Sequence, residues 1–193
     1  MKPINLLTLI FGLSIYSLSA KAEASNHFEI LDQSEKTLFA LTKDGAKYKL
    51  VDGQGKLQAT YKVKADKTKI FASDGSEIAK VKGDSAKLKV KDSRGTIFKM
   101  KLQADSGYKI KDANGDTLYK LKLKDYGYKI KNGEGQEIAR LKKKGEKLKF
   151  VSSNRTTHNR GTKISPVLAA LLNLDKVPLA IRVGMALRLS QQQ

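Results

Sequence analysis

Several residue types that cross-link or stiffen small proteins are missing or rare in this chain. It has no cysteine and no tryptophan, and only three prolines occur among its 193 residues. Without cysteine the chain cannot form disulfides or thiolate metal sites, so packing alone must hold the fold. Acidic residues are also scarce, because 19 Asp and Glu stand against 38 Lys and Arg, for a formal charge of +19. A charge of this size favours association with anionic partners.

One apolar run near the N-terminus is typical of a targeting segment. Lys2 precedes an apolar stretch from Ile4 to Leu18, and the small residues Ala20 and Ala22 follow it. This order matches the charged, hydrophobic and cleavage regions of a secretory signal peptide. We therefore predict a signal peptide over 1–22, cleaved after Ala22, and a periplasmic or secreted mature protein. The alternative is an uncleaved anchor, although the run is short for a span of ~20 residues.

A 20-residue pattern repeats from Phe28 to Lys147. Each unit opens with two apolar residues two positions apart and, in most units, a lysine between them, as in Tyr108-Lys109-Ile110, which is typical of a half-buried strand. A four-residue connection follows, such as Asp112 to Gly115, and its Asp and Gly favour a type I turn in a hairpin. We predict six hairpins, and a seventh copy that begins at Leu148 and is not completed.

The second half of each unit interrupts the alternation of apolar residues. Its apolar positions are first three apart, as in Ile78/Val81 and Ile138/Leu141, so one extra residue has entered the strand. We predict a β-bulge there, which adds twist and curvature. A meander of about twelve antiparallel strands with this curvature is expected to curl, because flat open sheets of that size are rare. A closed barrel is the favoured form, and an open solenoid of hairpins is the alternative.

The C-terminal segment differs in composition from the repeats. A polar stretch from Ser152 to Lys163, which we interpret as a linker, leads to Ser165 and Pro166, residues that favour a helix start. A second helix, apolar on nearly every side, is predicted to begin at Asp175. Such a helix is buried in protein, lies on a membrane surface or spans the membrane. We favour burial, because the uncharged run from Ile164 to Leu174 is too short for a span.

The predicted organisation has four parts and an all-β fold class with a C-terminal helix. They are a signal peptide (1–22), a β-hairpin repeat region (23–151), a polar linker (152–163) and an apolar helical segment (164–190) that packs with the repeats. No transmembrane span is expected after cleavage of the signal.

This layout resembles the tubby-like architecture, which tubby C-terminal domains, LURP-one-related proteins and phospholipid scramblases share. The resemblance covers residues 28–190 and lies in the strand number, in unit stretches such as 108–112 with 118–121, and in the apolar helix from Leu179 to Leu189. It implies a closed barrel around the C-terminal helix. Because family members are associated with phospholipids, it also implies lipid head groups as one ligand class, without carrying over any head-group residue.

The most regular polar feature is a lysine that recurs at one position of successive units. The members of this lysine column are Lys49, Lys69, Lys89, Lys109, Lys129 and Lys149, and a second row holds Lys62, Lys82, Lys122 and Lys142. Since their neighbours point inward, the column lysines point outward, roughly 10 Å apart. They predict a binding surface for anionic lipids or polymers. The alternative is a structural or protein-interaction module in which the lysines only maintain solubility.

Other functions find little support in the residues. No outward aromatic side chains alternate with the lysines, which argues against specific nucleic-acid binding. The segment from Asn154 to Arg160, around His158, is the one grouping of His, Asn and Arg, and we assign it to the linker. An enzyme that uses this segment is the remaining alternative. We predict a protein that is not an enzyme and that uses no catalytic residue, metal or cofactor.

Two further columns have structural interpretations. The turn residues Asp92, Asp112 and Asn132 each supply one carboxylate or amide, too few oxygens for calcium, so we assign them to turn chemistry. The tyrosines Tyr48, Tyr108 and Tyr128 recur at an inward position, where core packing is favoured over a ligand cage.

Overall fold

The structure is a computed structural model that describes residues 28–145, 147–161 and 165–191. The predicted signal peptide over 1–22 lies outside these residues. The strands are β1 (Phe28–Leu31), β2 (Thr37–Asp44), β3 (Lys47–Asp52), β4 (Leu57–Val63), β5 (Lys67–Ala72), β6 (Glu77–Gly83), β7 (Lys87–Asp92), β8 (Gly95–Leu102), β9 (Tyr108–Lys111), β10 (Thr117–Lys124), β11 (Gly127–Asn132), β12 (Glu137–Lys144), β13 (Lys147–Ser152) and β14 (Thr156–Gly161). The helices are α1 (Pro166–Leu172) and α2 (Leu179–Ser190).

The fourteen strands form one closed antiparallel barrel. Each strand pairs with its neighbours in the chain, and β1 pairs with β14 to close the barrel, with Ile30 opposite Asn159. This confirms the predicted all-β meander of hairpin repeats with a C-terminal helix. It also decides between the closed barrel and the open solenoid in favour of the barrel.

The seventh unit is complete, so the barrel has fourteen strands where about twelve were predicted, and the prediction of a linker over 152–163 is wrong. Residues assigned to a polar linker over 152–163 include strand β14, which pairs with both β13 and β1. Its inward side chains, Thr157 and Asn159, are buried although they are polar. The apolar alternation on which the prediction depended is therefore absent from this strand, even though its backbone is fully part of the sheet.

The predicted bulges are present in the six hairpins from β1–β2 to β11–β12. In each hairpin the register shifts by one residue in the second strand; for example, Ile70 faces Ala79 whereas Phe71 faces Glu77, so that Ile78 is the extra residue. The extra residues are Leu38, Gln58, Ile78, Ile97, Leu118 and Ile138. Bulges bend and twist strands, which suits the closure of a barrel.

The two helices are packed inside the barrel. All residues of α1 from Val167 to Leu172 are buried, as are most residues of α2. The first helix contacts β11 to β13 and the second contacts β4 to β7. The close approach requires glycine at position 184, because a Cβ there would lie 2.4 Å from Ile70 Cδ1. The prediction of a buried C-terminal helix is confirmed.

The second helix begins at Leu179 instead of the predicted Asp175. Pro178 stands immediately before it, and the segment between α1 and Pro178 forms a turn. Asp175 is used in that turn, where its carboxylate accepts a hydrogen bond from Tyr119 (2.5 Å). No helix among the described residues is both long enough and apolar enough to cross a membrane.

Polar contacts hold the helices at both ends of the barrel. The loops within hairpins lie at one end, the hairpin end, and the loops between hairpins lie at the other, the junction end. The α1–α2 turn is held at the hairpin end by the bond between Tyr119 and Asp175. At the junction end, the buried Arg188 of α2 donates hydrogen bonds to the carbonyls of Gly83 (2.8 Å) and Ala65 (2.7 Å).

Candidate functional site

The six lysines of the column lie on the outer face of alternate strands, from Lys49 on β3 to Lys149 on β13. Each one stands between two inward residues, such as the buried Leu88 and Val90 on either side of Lys89. The column therefore crosses eleven of the fourteen strands of a closed barrel. Because its first and last lysines lie on widely separated strands of the barrel, one flat ligand cannot contact both.

The column lysines also differ in their partners. Lys49 is paired with Asp44 (2.7 Å), Lys69 with Glu77 (2.5 Å) and Lys129 with Glu137 (2.9 Å). Among the described residues no ion pair involves Lys89, Lys109 or Lys149, the other three members. The structure thus places the six predicted lysines in one column, but three of them are already paired with a carboxylate.

Cross-strand pairing brings lysines together that the repeat alone does not connect. Three lysine ladders run across the strands, each with five lysines that stand directly opposite one another on neighbouring strands. Ladder 1 is Lys47, Lys62, Lys69, Lys80 and Lys91 on β3 to β7. Ladder 2 is Lys67, Lys82, Lys89, Lys99 and Lys111 on β5 to β9. Ladder 3 is Lys87, Lys101, Lys109, Lys120 and Lys131 on β7 to β11.

Acidic partners within the ladders are few. Lys69 pairs with Glu77, and Lys67 pairs with Asp66 (3.0 Å). Of the fifteen ladder lysines the other thirteen have no ion pair among the described residues. Lys62 lies over the ring of Phe71, 5.4 Å from its centroid. The ladders therefore form a concentrated positive surface with few acidic partners. Directly opposed like charges of this kind destabilise a sheet.

The few carboxylates on this surface are held in their charged form. The hydrogen bond from Lys69 lowers the pKa of Glu77. Hydrogen bonds from Arg140 and then Lys129 lower the pKa of Glu137 to about 2. Groups with such low pKa values do not act as general acids near neutral pH. Their role is to balance neighbouring cations.

The segment around His158 does not form a cluster of catalytic groups. Thr157 and Asn159 point inward, so His158 lies on the outer face of β14, opposite Lys149 and Leu31. Arg155 turns instead to the α1–α2 turn and donates a hydrogen bond to the carbonyl of Asn173 (2.5 Å). The strand separates the residues that stand close together in sequence.

The turn residues behave as predicted. The Asp92 carboxylate accepts hydrogen bonds from the backbone N–H groups of Arg94 (2.8 Å) and Gly95 (3.1 Å). Asp112 and Asn132 accept equivalent backbone bonds in their own turns. Within the described part of the chain, no group of three or more His, Asp or Glu side chains could hold a metal ion.

A small cavity of about 270 Å³ opens at the hairpin end, beside the α1–α2 turn. Its polar lining residues are already bonded to each other. The Tyr119 hydroxyl donates to Asp175 and accepts from the N–H of Lys176 (2.9 Å). Burial raises the pKa of Tyr119, and the bond from Tyr119 lowers the pKa of Asp175. This arrangement anchors the turn.

Comparisons with known proteins add little. No protein-family model and no curated protein sequence matches this chain. A search of solved structures finds an Arabidopsis thaliana protein known from an X-ray structure, with 12% sequence identity and a TM-score of 0.42, covering 79% of this chain and 91% of that chain. A likeness at this level supports no statement about function. The tubby-like resemblance stays a prediction.

Proposed function

We propose that this chain is a non-catalytic exported protein of the cell envelope, and that its outer lysines bind anionic groups of lipids or polymers. The observation that carries the proposal is the set of thirteen ladder lysines without an acidic partner among the described residues. They share one continuous outer face from β3 to β11. Export and the envelope location rest on the predicted signal peptide over 1–22.

The arrangement of charge favours this function over solubility alone. Surfaces that maintain solubility are expected to carry both signs of charge, interspersed. Here acidic residues stand mainly in the turns at the barrel ends, such as Asp84 and Asp112, while lysines face one another along the strands. A bound polyanion would relieve this repulsion and release its counterions, which makes binding favourable and dependent on salt.

A protein-interaction module is the second candidate function, and one observation favours it. The bulge residues Leu38, Ile78 and Ile138 are 37%, 38% and 37% exposed, and they recur on the outer face near the hairpin end. Exposed apolar side chains on one face suit a protein partner. Under this function, replacing the lysines leaves the set of partners unchanged.

The test is binding of the mature chain, residues 23–193, to polygalacturonate and to vesicles that contain anionic lipid, at low and at physiological salt. A variant with the six column lysines replaced by Gln is compared with a control that loses six exposed lysines outside the column and ladders. The control positions are Lys36, Lys43, Lys56, Lys64, Lys124 and Lys176. We expect raising the salt to weaken binding of the unaltered chain at least about tenfold. At low salt we expect the column variant to bind more weakly than the control variant. Binding that is absent at low salt, or insensitive to salt, contradicts the proposal.

A further inference from the structure

The ladders restrict the shape of the anionic ligand, if the proposed function holds. We infer that the ligand is a linear polyanion whose charges recur about every 5 Å and which lies along the lysine ladders, across the strands. Linear polyuronates, with one carboxylate on each sugar unit, carry such a charge pattern, whereas the charges of linear polyphosphates, whose phosphorus atoms share single oxygens, lie closer together. The ladders are the binding site, and three members of the predicted lysine column, Lys69, Lys89 and Lys109, belong to it.

The spacing of the ladders follows from the sheet itself. Neighbouring strands lie ≈ 4.7–4.9 Å apart, so the five lysines of one ladder span roughly 19 Å along the hydrogen-bonding direction. Lysine presents a single compact charge on a flexible stem. A row of evenly spaced point charges matches an extended chain that repeats one charge per unit better than it matches a compact head group.

The ladders have defined ends. Ladder 1 begins beside Asp44, which is opposite Lys47, and ends where Lys91 faces Thr96. Ladder 2 ends where Lys111 faces Thr117. Ladder 3 ends where Lys131 faces Glu137. A threonine or an acid therefore stops each row after five lysines, which sets the number of charges that one ladder can bind.

Neighbouring ladders are joined on the strands that they share. Ladders 1 and 2 overlap on β5 to β7, where Lys80 and Lys82 of β6 belong to different ladders and point to the same side. Ladders 2 and 3 overlap on β7 to β9 in the same way. A long chain can pass from one ladder to the next without leaving the lysine surface.

The curvature of the barrel favours a linear polymer over a membrane as the ligand. The three ladders together extend over β3 to β11, nine of the fourteen strands of a closed barrel. A flat bilayer touches a cylinder along a narrow band and leaves most of these lysines unused. Barrel strands tilt by typically 35–45°, so rows perpendicular to them run obliquely around the barrel, a path that a flexible chain can follow.

The test measures the affinity of the mature chain for galacturonate oligomers of increasing length and, for comparison, for linear polyphosphates with the same numbers of charges, at low salt and at one concentration of charged units. We expect the dissociation constant to fall steeply until the oligomer carries about five charges and more slowly beyond that, because each ladder offers one site of that length. We expect the galacturonate series to bind more tightly at equal charge number, and tighter binding of the polyphosphates would show that the strand spacing does not select the ligand.

A matched pair of variants tests the position of the site. The ladder variant replaces the central lysines of the three ladders with Gln, and the control replaces six exposed lysines outside them with Gln. The ladder positions are Lys69, Lys80, Lys89, Lys99, Lys109 and Lys120, and the control positions are Lys36, Lys43, Lys56, Lys64, Lys124 and Lys176. Binding of the five-charge oligomer is expected to weaken at least about tenfold in the ladder variant and less than about threefold in the control.

The possible outcomes separate this inference from the proposed function. Equal losses in both variants, no dependence on oligomer length, or tighter binding to anionic vesicles than to polymers would overturn the linear-polyanion ligand while leaving anion binding intact. Absence of binding to every anion at low salt would remove both.

Discussion

Fifteen lysine side chains face one another across neighbouring strands, and their repulsion has a consequence for stability. Like charges in directly opposed positions destabilise a sheet by roughly 0.2–1 kcal/mol per pair. We expect Lys99→Gln, which removes the opposed pairs with both Lys89 and Lys111, to raise the free energy of unfolding at low salt by about 0.4–2 kcal/mol. Urea unfolding at low and high salt measures it. The gain should shrink at high salt, and a stability loss at low salt would contradict the repulsion.

The hydrogen bond between Tyr119 and Asp175 makes stability depend on pH. The bond lowers the pKa of Asp175 below its ordinary 3.8, so its stabilisation is present above that value and is lost as the pH falls through the lowered pKa. We expect Tyr119→Phe to lower the melting temperature at neutral pH and the difference from wild type to shrink below pH 3.8. Thermal melts from neutral pH to about pH 2 test this. Tyr126→Phe is the control, since no hydrogen bond of its hydroxyl occurs among the described residues, and an equal effect there would rule out the role of Asp175.

At the scale of the elements, α2 depends on a buried guanidinium at its C-terminal end. Arg188 donates hydrogen bonds to three carbonyls, those of Gly83, Ala65 and Lys64. Arg188→Met leaves those groups without their charged donor at a buried position. We expect it to cost roughly 2–3 kcal/mol of unfolding free energy, measured by urea unfolding. Arg94→Met is the control, because the Arg94 side chain is 86% exposed in a turn; equal effects in the two variants would contradict the anchoring role.

Contact between α2 and β5 gives a second prediction at this scale. Gly184 lies against Ile70 and Val81, and a Cβ at position 184 would be 2.4 Å from Ile70 Cδ1. We expect Gly184→Val to destabilise the protein by about 1–3 kcal/mol, because the packed core must shift to admit the side chain. Thermal unfolding measures the loss. If Gly184→Val costs as much stability in an Ile70→Ala background as it does with Ile70 intact, the close contact is not the cause.

The elements that the sequence predicts well are those with apolar alternation. The strands of the first six units, their turns and their bulges follow from spacing and from Asp, Asn and Gly. Strand β14 escaped prediction because its inward residues, Thr157 and Asn159, are polar. The burial of Thr157 is explained only by the three-dimensional structure. Its hydroxyl donates a hydrogen bond to the side chain of Asn173 (2.6 Å), in the turn after α1. That partner belongs to a segment that no local pattern connects to β14.

The ladders escaped prediction for a different physical reason. The 20-residue period places lysines of different units in one column, but it does not say which residue stands opposite which. That depends on each bulge, since one extra residue in β6 decides whether Lys69 faces Lys80 or Ala79. The apolar spacing at Ile78 and Val81 did contain the signal. Combined with the turn length, it would have predicted the opposed lysines of that hairpin.

At the scale of the whole molecule, closure of the barrel turns a repeat into a curved surface on which positive charge predominates. The helices fill the interior, and the lysine ladders lie on the outside. Ladder 3, the last along the chain, ends on β11, where Lys131 faces Glu137. We propose that these ladders contact an anionic chain.

The most direct test is the rate at which each lysine of the mature chain is acetylated, measured by mass spectrometry with and without polygalacturonate. We expect the polymer to slow acetylation of the ladder lysines, most strongly at Lys89, Lys99 and Lys109 in the middle of the surface, and to leave Lys36, Lys56 and Lys176 unchanged. Equal protection of both groups, or protection confined to the lysines outside the ladders, would contradict it.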